Sequence, residues 1–514
     1  MHLKALLKAL LIGTALLLSP LSFAAWREAK SEHFVIYADE SERNLRAFSE
    51  KLERYHQAMT IIFPSRTSTP SPSNRLTIYV VSNDRQVRKL FGNTAASDFV
   101  SGFYIPRAGS SSAFIPSVNS KSSGAVSESE MILMHEYAHH FMFENLNSMV
   151  PPWFVEGFAE YFAAVTFERN GNVILGGPDN LRAHEFVNPD IRQIGIEELL
   201  DSATHAAQRR KSFYDNFYVR SWSLFHYLYS DEAGKGKMVD YLNRLNRGEN
   251  ELDAARAAFG DLAALDQTLG RYLRGQILSW RIPSTALSFA PIAIRELNPA
   301  EAASLAVRMQ SKRGVDPNET AKAAAIAQEA RELAVKYPNE PEVLAALAEA
   351  ESDAGNDAAA IAAADKALAL NPTHINALIQ KGYALTRSAN ASGNAEDWAK
   401  VRTHFLNVNK IEADHPIPLI YFYLSYVNQG MAPTQNAIDG LEWALQLAPY
   451  DASLRLTTAR AQMAQRHYQQ AIQTLSVLAF NPHNDGDNPA LALLETAKQA
   501  LAEQTATLEN AAEK

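Results

Sequence analysis

The sequence predicts an α+β domain followed by an all-α helical-repeat domain. Two patterns carry this. Short runs rich in β-branched and aromatic residues alternate with helical spacing in the first half, and Ala-rich helical sequence punctuated by regularly recurring prolines fills the second. A length of 514 residues, 47% of them hydrophobic, is enough for more than one core. The net charge of −9 leaves no basic footprint, which argues against a nucleic-acid partner. Cysteine is absent, so disulfides, thiolate catalysis, Fe–S clusters and Cys-rich zinc sites are excluded together. Any bound metal must be held by His and carboxylates.

The first segment reads as an address. Met1–Lys4 is a short basic start, and Ala5–Leu18 is apolar apart from Lys8, Gly13 and Thr14. Ser22-Phe23-Ala24 then offers the small-large-small pattern of a signal-peptidase site. The apolar run falls short of the roughly 18 residues that a membrane span needs. Residues 1–24 are therefore expected to be a signal peptide cleaved near Ala24. The mature chain is expected to be periplasmic or secreted, with no transmembrane anchor.

Residues 25–290 are assigned to the α+β domain. His33–Ala38 and Leu76–Val81 read as strands. Between them Leu45, Phe48, Leu52, Tyr55 and Met59 recur at helical spacing. Phe103–Ile105 and Ala113–Ile115 read as two more strands around a Gly/Ser-rich turn, and Ala113–Ile115 is taken as a free edge on which an extended peptide can pair. From Ser127 onward the pattern is mostly helical.

The chemistry concentrates in His135-Glu136-Tyr137-Ala138-His139, an H-E-x-x-H pattern. On a helix, residues four apart lie about 40° apart in azimuth and one turn along, so both imidazoles can reach one ion. Glu136, about 100° round, stands beside that ion, where a carboxylate can hold and deprotonate a water. His140 points away and reads as a non-ligand. Glu156 follows within Pro151-Pro152-Trp153-Phe154-Val155-Glu156-Gly157-Phe158-Ala159-Glu160-Tyr161-Phe162. Two acids four apart on an otherwise apolar helix are costly unless a cation compensates them. Glu156 thus completes a His₂Glu zinc site with one open position, and Glu160 orients a ligand histidine, His135 before others.

HEYAH followed by WFVEGFAEYF resembles the gluzincin metallopeptidases, whose second motif runs W-x-x-E-G-x-A-E. It is most similar to the bacterial peptidase-MA-like family, secreted or periplasmic proteins that often carry C-terminal tetratricopeptide repeats. The likeness spans about Ala25 to Gln276. It implies a zincin-like metallopeptidase domain with His135, His139 and Glu156 as zinc ligands, Glu136 as general base and Glu160 behind them. The family's Y-x-x-S-W/Y motif is matched by Tyr218-Val219-Arg220-Ser221-Trp222. A phenol at Tyr218 can donate to a developing oxyanion, and Tyr214 and His226 are rivals for that role.

Residues 291–514 are assigned to the repeats. Pro338, Pro372, Pro416, Pro449 and Pro482 are spaced by 34, 44, 33 and 33 residues, the period of a tetratricopeptide helix-turn-helix unit. Pro341–Pro372 fits best: Leu344, Leu347 and Ala348 on a first helix, a turn at Gly355-Asn356-Asp357, and Ala360, Ala364 and Ala367 on a second. The long step holds Ser388–Asn394, read as an exposed loop, and roughly four units are expected. Such arrays present a groove to protein or peptide partners.

The expected function is an exported zinc-dependent metallopeptidase acting on a peptide or protein substrate, with the repeats recruiting substrate or partner. Two alternatives stand beside it: a non-catalytic secreted repeat scaffold with a structural zinc site, and a zinc hydrolase of a non-peptide amide such as a cell-wall linkage.

Overall fold

The computed structural model describes residues 25–63, 65, 69–92, 100–117, 126–146, 148–178, 183–186, 188–209, 215–316, 318–479 and 488–512. The predicted signal peptide, residues 1–24, and the rival phenol Tyr214 lie outside them. No helix among the described residues is long and apolar enough to cross a membrane.

The N-terminal half is built on a six-stranded sheet formed by β1 (Arg27–Lys30), β2 (Phe34–Ala38), β3 (Leu76–Val81), β4 (Phe103–Ile105), β5 (Ser112–Pro116) and β9 (Ala293–Glu296), in the order β4-β5-β3-β2-β1-β9. A second sheet of three short strands, β6 (Thr166–Phe167), β7 (Val173–Leu175) and β8 (Trp280–Ile282), lies apart from it. Strands β2 and β3 run parallel, which requires a crossover, and α1 (Glu42–Ile62) supplies it. Ser41 caps α1, and all five predicted positions, Leu45, Phe48, Leu52, Tyr55 and Met59, are buried.

The strands are apolar on both faces because both are covered. Phe34, Ile36, Leu76, Ile78, Val80, Ala113 and Ile115 face the main core beneath α1. The alternate residues Val35, Tyr37, Tyr79 and Phe114 form a second cluster on the opposite face. There the rings of Tyr37, Tyr79, Phe114 and Phe103 stack in sequence across four strands, with centroids 5.5, 5.2 and 4.7 Å apart.

Two expectations are corrected here. Ala113–Ile115 is not an edge: β5 is hydrogen-bonded to β3 on one side and to β4 on the other. The Gly/Ser-rich turn folds β4 back as a hairpin, so β4 takes the outer place. Nor does the sheet end before residue 290, because β9 pairs antiparallel with β1.

Beyond β9 the chain is a helical-repeat array. Its helix pairs are α11 (Pro299–Arg313) with α12 (Thr320–Lys336), α13 (Pro341–Asp353) with α14 (Asp357–Leu370), and α15 (Ile375–Ser392) with α16 (Ala395–Ile411). Then follow α17 (Pro416–Asn428) with α18 (Gln435–Leu447), α19 (Ala452–Ala464) with α20 (Tyr468–Ala479), and a terminal α21 (Pro489–Ala512). The described array thus holds five pairs and a closing helix, more than the four units the proline period suggests, because α11 and α12 precede the first of those prolines. Gly355 sits at φ +74° in the predicted turn, and Ala360, Ala364 and Ala367 are fully buried. Ser388–Asn394 is not an exposed loop. Helix α15 runs through it to Ser392 and buries Ala389, and only Gly393 at φ +65° and Asn394 make the turn.

The array does not stand free of the first half. Leu297 and Leu305 of its first helix region join the outer aromatic cluster of the sheet. The Arg308 guanidinium lies 4.9 Å from the ring centre of Tyr37 and donates to its hydroxyl at 3.2 Å. Further along, Arg107 donates to the carbonyls of Lys312 and Arg313, Ser73 to Glu412, and the Ala108 amide to Asp451 at 2.8 Å. The face built from the first helices of the pairs encloses, with the sheet, a polar cavity of about 730 Å³ that includes Tyr79, Arg107, Glu349 and Tyr383. The groove expected for an external partner is therefore partly faced by this chain itself.

A chain ended after Leu297 strips the cover from Val35, Tyr37, Tyr79 and Phe114. It is expected to be insoluble or to bind a hydrophobic dye strongly where the full chain does not, measured by dye fluorescence on the soluble fraction. A soluble, cooperatively melting fragment with no dye binding would show that the array is dispensable to the sheet.

Candidate metal centre

Two helices build the site. The first, α3 (Glu128–Asn145), starts with a full capping box in which Ser127 and Glu130 exchange hydrogen bonds with each other's backbone. Glu130 also pairs with Lys51 of α1 at 2.5 Å, and the Tyr55 hydroxyl donates to the Met134 carbonyl at 3.0 Å. These contacts fix the helix on its non-ligand side. The second, α4 (Pro152–Ala163), opens on the paired prolines, where the missing N–H costs nothing, and is buried from Trp153 through Ala163.

Across this pair the three predicted ligands converge. Nε2 of His135 lies 3.0 Å from Nε2 of His139 and 3.4 Å from Oε2 of Glu156, which is in turn 3.5 Å from Nε2 of His139. Two ligand atoms about 2.0–2.1 Å from a tetrahedral zinc are separated by roughly 3.3 Å, so this donor triangle has the dimensions of one face of such a site. Glu160 Oε1 stands 3.4 Å from the other ring nitrogen of His135, Nδ1. The spacing predicted from the two i, i+4 pairs is realised at all four residues.

Electrostatics follow from the same geometry. Burial disfavours a charged His135, yet the carboxylates of Glu160 and Glu156 outweigh it and push its pKa up to about 9. For His139 burial wins, helped by the neighbouring His135, and its pKa falls despite Glu156. Glu136 is half-buried and close enough that its charge favours protonation of both histidines.

The oxyanion candidates separate. Tyr218, on α7 (Phe217–Tyr229), places its ring 6.4 Å from that of His135. His226, two turns on, is committed elsewhere: Nε2 meets the carbonyls of Gly176 at 2.7 Å and Leu278 at 3.0 Å, and Nδ1 meets the Tyr272 hydroxyl at 2.8 Å. With Nε2–H donating to carbonyls, Nδ1 accepts from the phenol, and no ring nitrogen remains for a substrate. His140 faces away from the donor triangle, bonded through Nδ1 to the Tyr104 hydroxyl at 2.6 Å and packed on Tyr450 with centroids 4.3 Å apart.

Sequence reasoning missed what holds Tyr218 in place. A Cβ on Gly157 would sit 2.5 Å from the Ser221 carbonyl oxygen and 2.8 Å from the Phe225 Cβ, so α7 crosses α4 at the one residue without a side chain. It also missed Glu32, His33 and Glu53, a second group whose ligand atoms lie within 4.8 Å of one another. There Glu53 accepts from the His33 ring at 2.8 Å and the His33 amide at 2.9 Å, which satisfies the buried carboxylate. No local spacing signals that group, because its partners are 20 residues apart.

No protein-family model matches the chain, and no curated protein matches it. Among solved structures it is similar to a thermophilic TPR protein of Thermus thermophilus, at 16% identity and TM-score 0.29 over 35% of this chain and 92% of that one. It is also similar to MamA from Desulfovibrio magneticus, at 18% identity and TM-score 0.26 over 34% of this chain and 92% of that one. A third likeness is to yeast Tom70, at 15% identity and TM-score 0.25 over 54% of this chain and 65% of that one. The helical-repeat architecture is established by the helix pairs described above, and likenesses this slight add nothing about activity or partners.

Gly157→Ala forces α7 away from α4 and is expected to cost about 1–3 kcal/mol of stability by denaturant titration. A variant as stable as the parent would mean that the crossing is not held by this contact.

Proposed function

We propose that this chain is an exported zinc-dependent metallopeptidase of the gluzincin type, its N-terminal half a zincin-like domain. The observation that carries the reading is the donor triangle of His135, His139 and Glu156, sized for one zinc ion and backed by Glu160. The H-E-x-x-H and W-x-x-E-G-x-A-E motifs, and the signal-like first 24 residues, support it from the sequence.

Zinc bound there would supply Lewis acidity to a substrate carbonyl and to an attacking water. The protein's own groups do the rest. Glu136 stands beside the triangle, where its carboxylate takes the proton from the attacking water and later delivers it to the leaving amine. Tyr218 donates its phenolic hydrogen to the oxyanion. Glu160 accepts from Nδ1 of His135 and so holds Nε2 toward the centre.

A second reading, a repeat scaffold with a purely structural metal, is favoured by the burial of the site. Glu156 is 0% and His139 4% exposed, as in closed structural centres. The half-buried Glu136 favours the catalytic reading, since a structural site has no use for a base at its margin.

Glu136→Gln is expected to lower hydrolysis of denatured casein by at least about 100-fold while zinc stays near one per chain by mass spectrometry. Undiminished hydrolysis in that variant would refute the mechanism. A parent chain that retains zinc yet cleaves neither casein nor peptidoglycan fragments would favour the scaffold, and cleavage of peptidoglycan alone the non-peptide amide. Glu160→Ala is expected to weaken zinc binding about 10–100-fold in chelator competition, and unchanged affinity would remove Glu160 from the site.

A further inference from the structure

Arg455 lies in the first turn of α19, and only 2% of it is exposed. Among the described residues its one hydrogen bond runs from Nε to the Pro449 carbonyl, and Nη2 has no partner. No carboxylate lies within ion-pair reach of it among the described residues. Burial pulls its pKa down only to about 10, so it stays charged at neutral pH. A buried guanidinium without an anion is costly, and the positive end of a helix dipole adds to that cost. One turn along, the buried Thr458 hydroxyl is likewise without a partner. Nothing among the described residues accounts for this charge.

Arg455 lines a cavity of about 470 Å³ in the seam between the array and the first half. Gln446, Gln470, Gln473 and Thr474 contribute neutral polar groups to its wall. Its two acids, Asp414 and Glu144, are engaged elsewhere: Asp414 accepts from the Trp443 indole at 3.1 Å, and Glu144 lies 3.5 Å from Nε2 of His140. The wall therefore offers a permanent cation together with the amide groups of Gln446, Gln470 and Gln473, a combination that suits carboxylate recognition.

We propose that this seam cavity binds a peptide through a carboxylate, with Arg455 as its anchoring cation. The site is independent of the metal centre and stands whether or not the chain is a peptidase.

The test is thermal unfolding of the full chain in EDTA, so that no metal can hold the added carboxylate. The probes are N-acetyl-Ala-Glu-Ala amide, N-acetyl-trialanine acid and, as the neutral control, N-acetyl-Ala-Gln-Ala amide. At least one acid is expected to raise Tm by about 2 °C or more at millimolar concentration, with no shift from the neutral peptide. The acid that acts tells a side-chain from a terminal carboxylate. Arg455→Met is expected to abolish the shift, and Arg455→Lys, which keeps the charge but loses the planar fork, to reduce it at least about twofold. Equal shifts from acids and neutral peptide, no shift from any of them, or a full shift in Arg455→Met would each overturn the proposal. The comparison on the parent chain decides even if the Met variant fails to fold.

Discussion

Helix α4 is buried from Trp153 to Ala163, and two of those side chains are carboxylates. The rest of the first half is arranged around that constraint. A carboxylate withdrawn from water must meet positive charge or hydrogen-bond donors, and the apolar neighbours on α4 provide none. The imidazoles of α3 are what the fold brings to them. Because Glu156 and Glu160 are one turn apart, they reach both ring nitrogens of His135, and Glu156 reaches His139 as well. The two helices are thereby locked in register as well as in contact.

That lock demands close packing on every side. Gly157, next to Glu156, lets α7 pass against α4, and α7 brings Tyr218 to within 6.4 Å of the His135 ring. On its other side α3 rests on α1, which in turn covers the inner face of the sheet. The outer face is no less apolar, and the first helix of the array closes it. The array is thus part of the fold of the first half, and a division into two domains at residue 290 misses a shared core.

What the sequence made legible was local. Two histidines four apart, and two acids four apart on an apolar helix, state their geometry in their spacing, and the donor triangle follows. The strands and α1 were legible for the same reason. Contacts between distant segments left no such trace: Ala108 meets Asp451 across 343 residues, and no periodicity announces it. The edge assigned to Ala113–Ile115 failed because pairing partners, unlike strand propensity, are not local. Ser388–Asn394 misled through composition. Its polar residues suggested a loop, but its alternating alanines sustain a helix that buries Ala389.

Helix α3 meets different neighbours on its two faces. His135 and His139 turn toward α4, whereas the very next residue, His140, bonds to Tyr104 and packs on Tyr450 of the array. Phe143, one turn past His139, stacks near that imidazole with centroids 6.3 Å apart and also packs against the core cluster formed by Ala108 with residues of α17, α18 and α19. Close-packed interiors transmit small displacements instead of absorbing them, so the array's seating helps to set where His139 points. Its packing on Phe143 makes the array a support of the helix that carries the two imidazoles of the donor triangle, and the seating of the second imidazole depends on both halves.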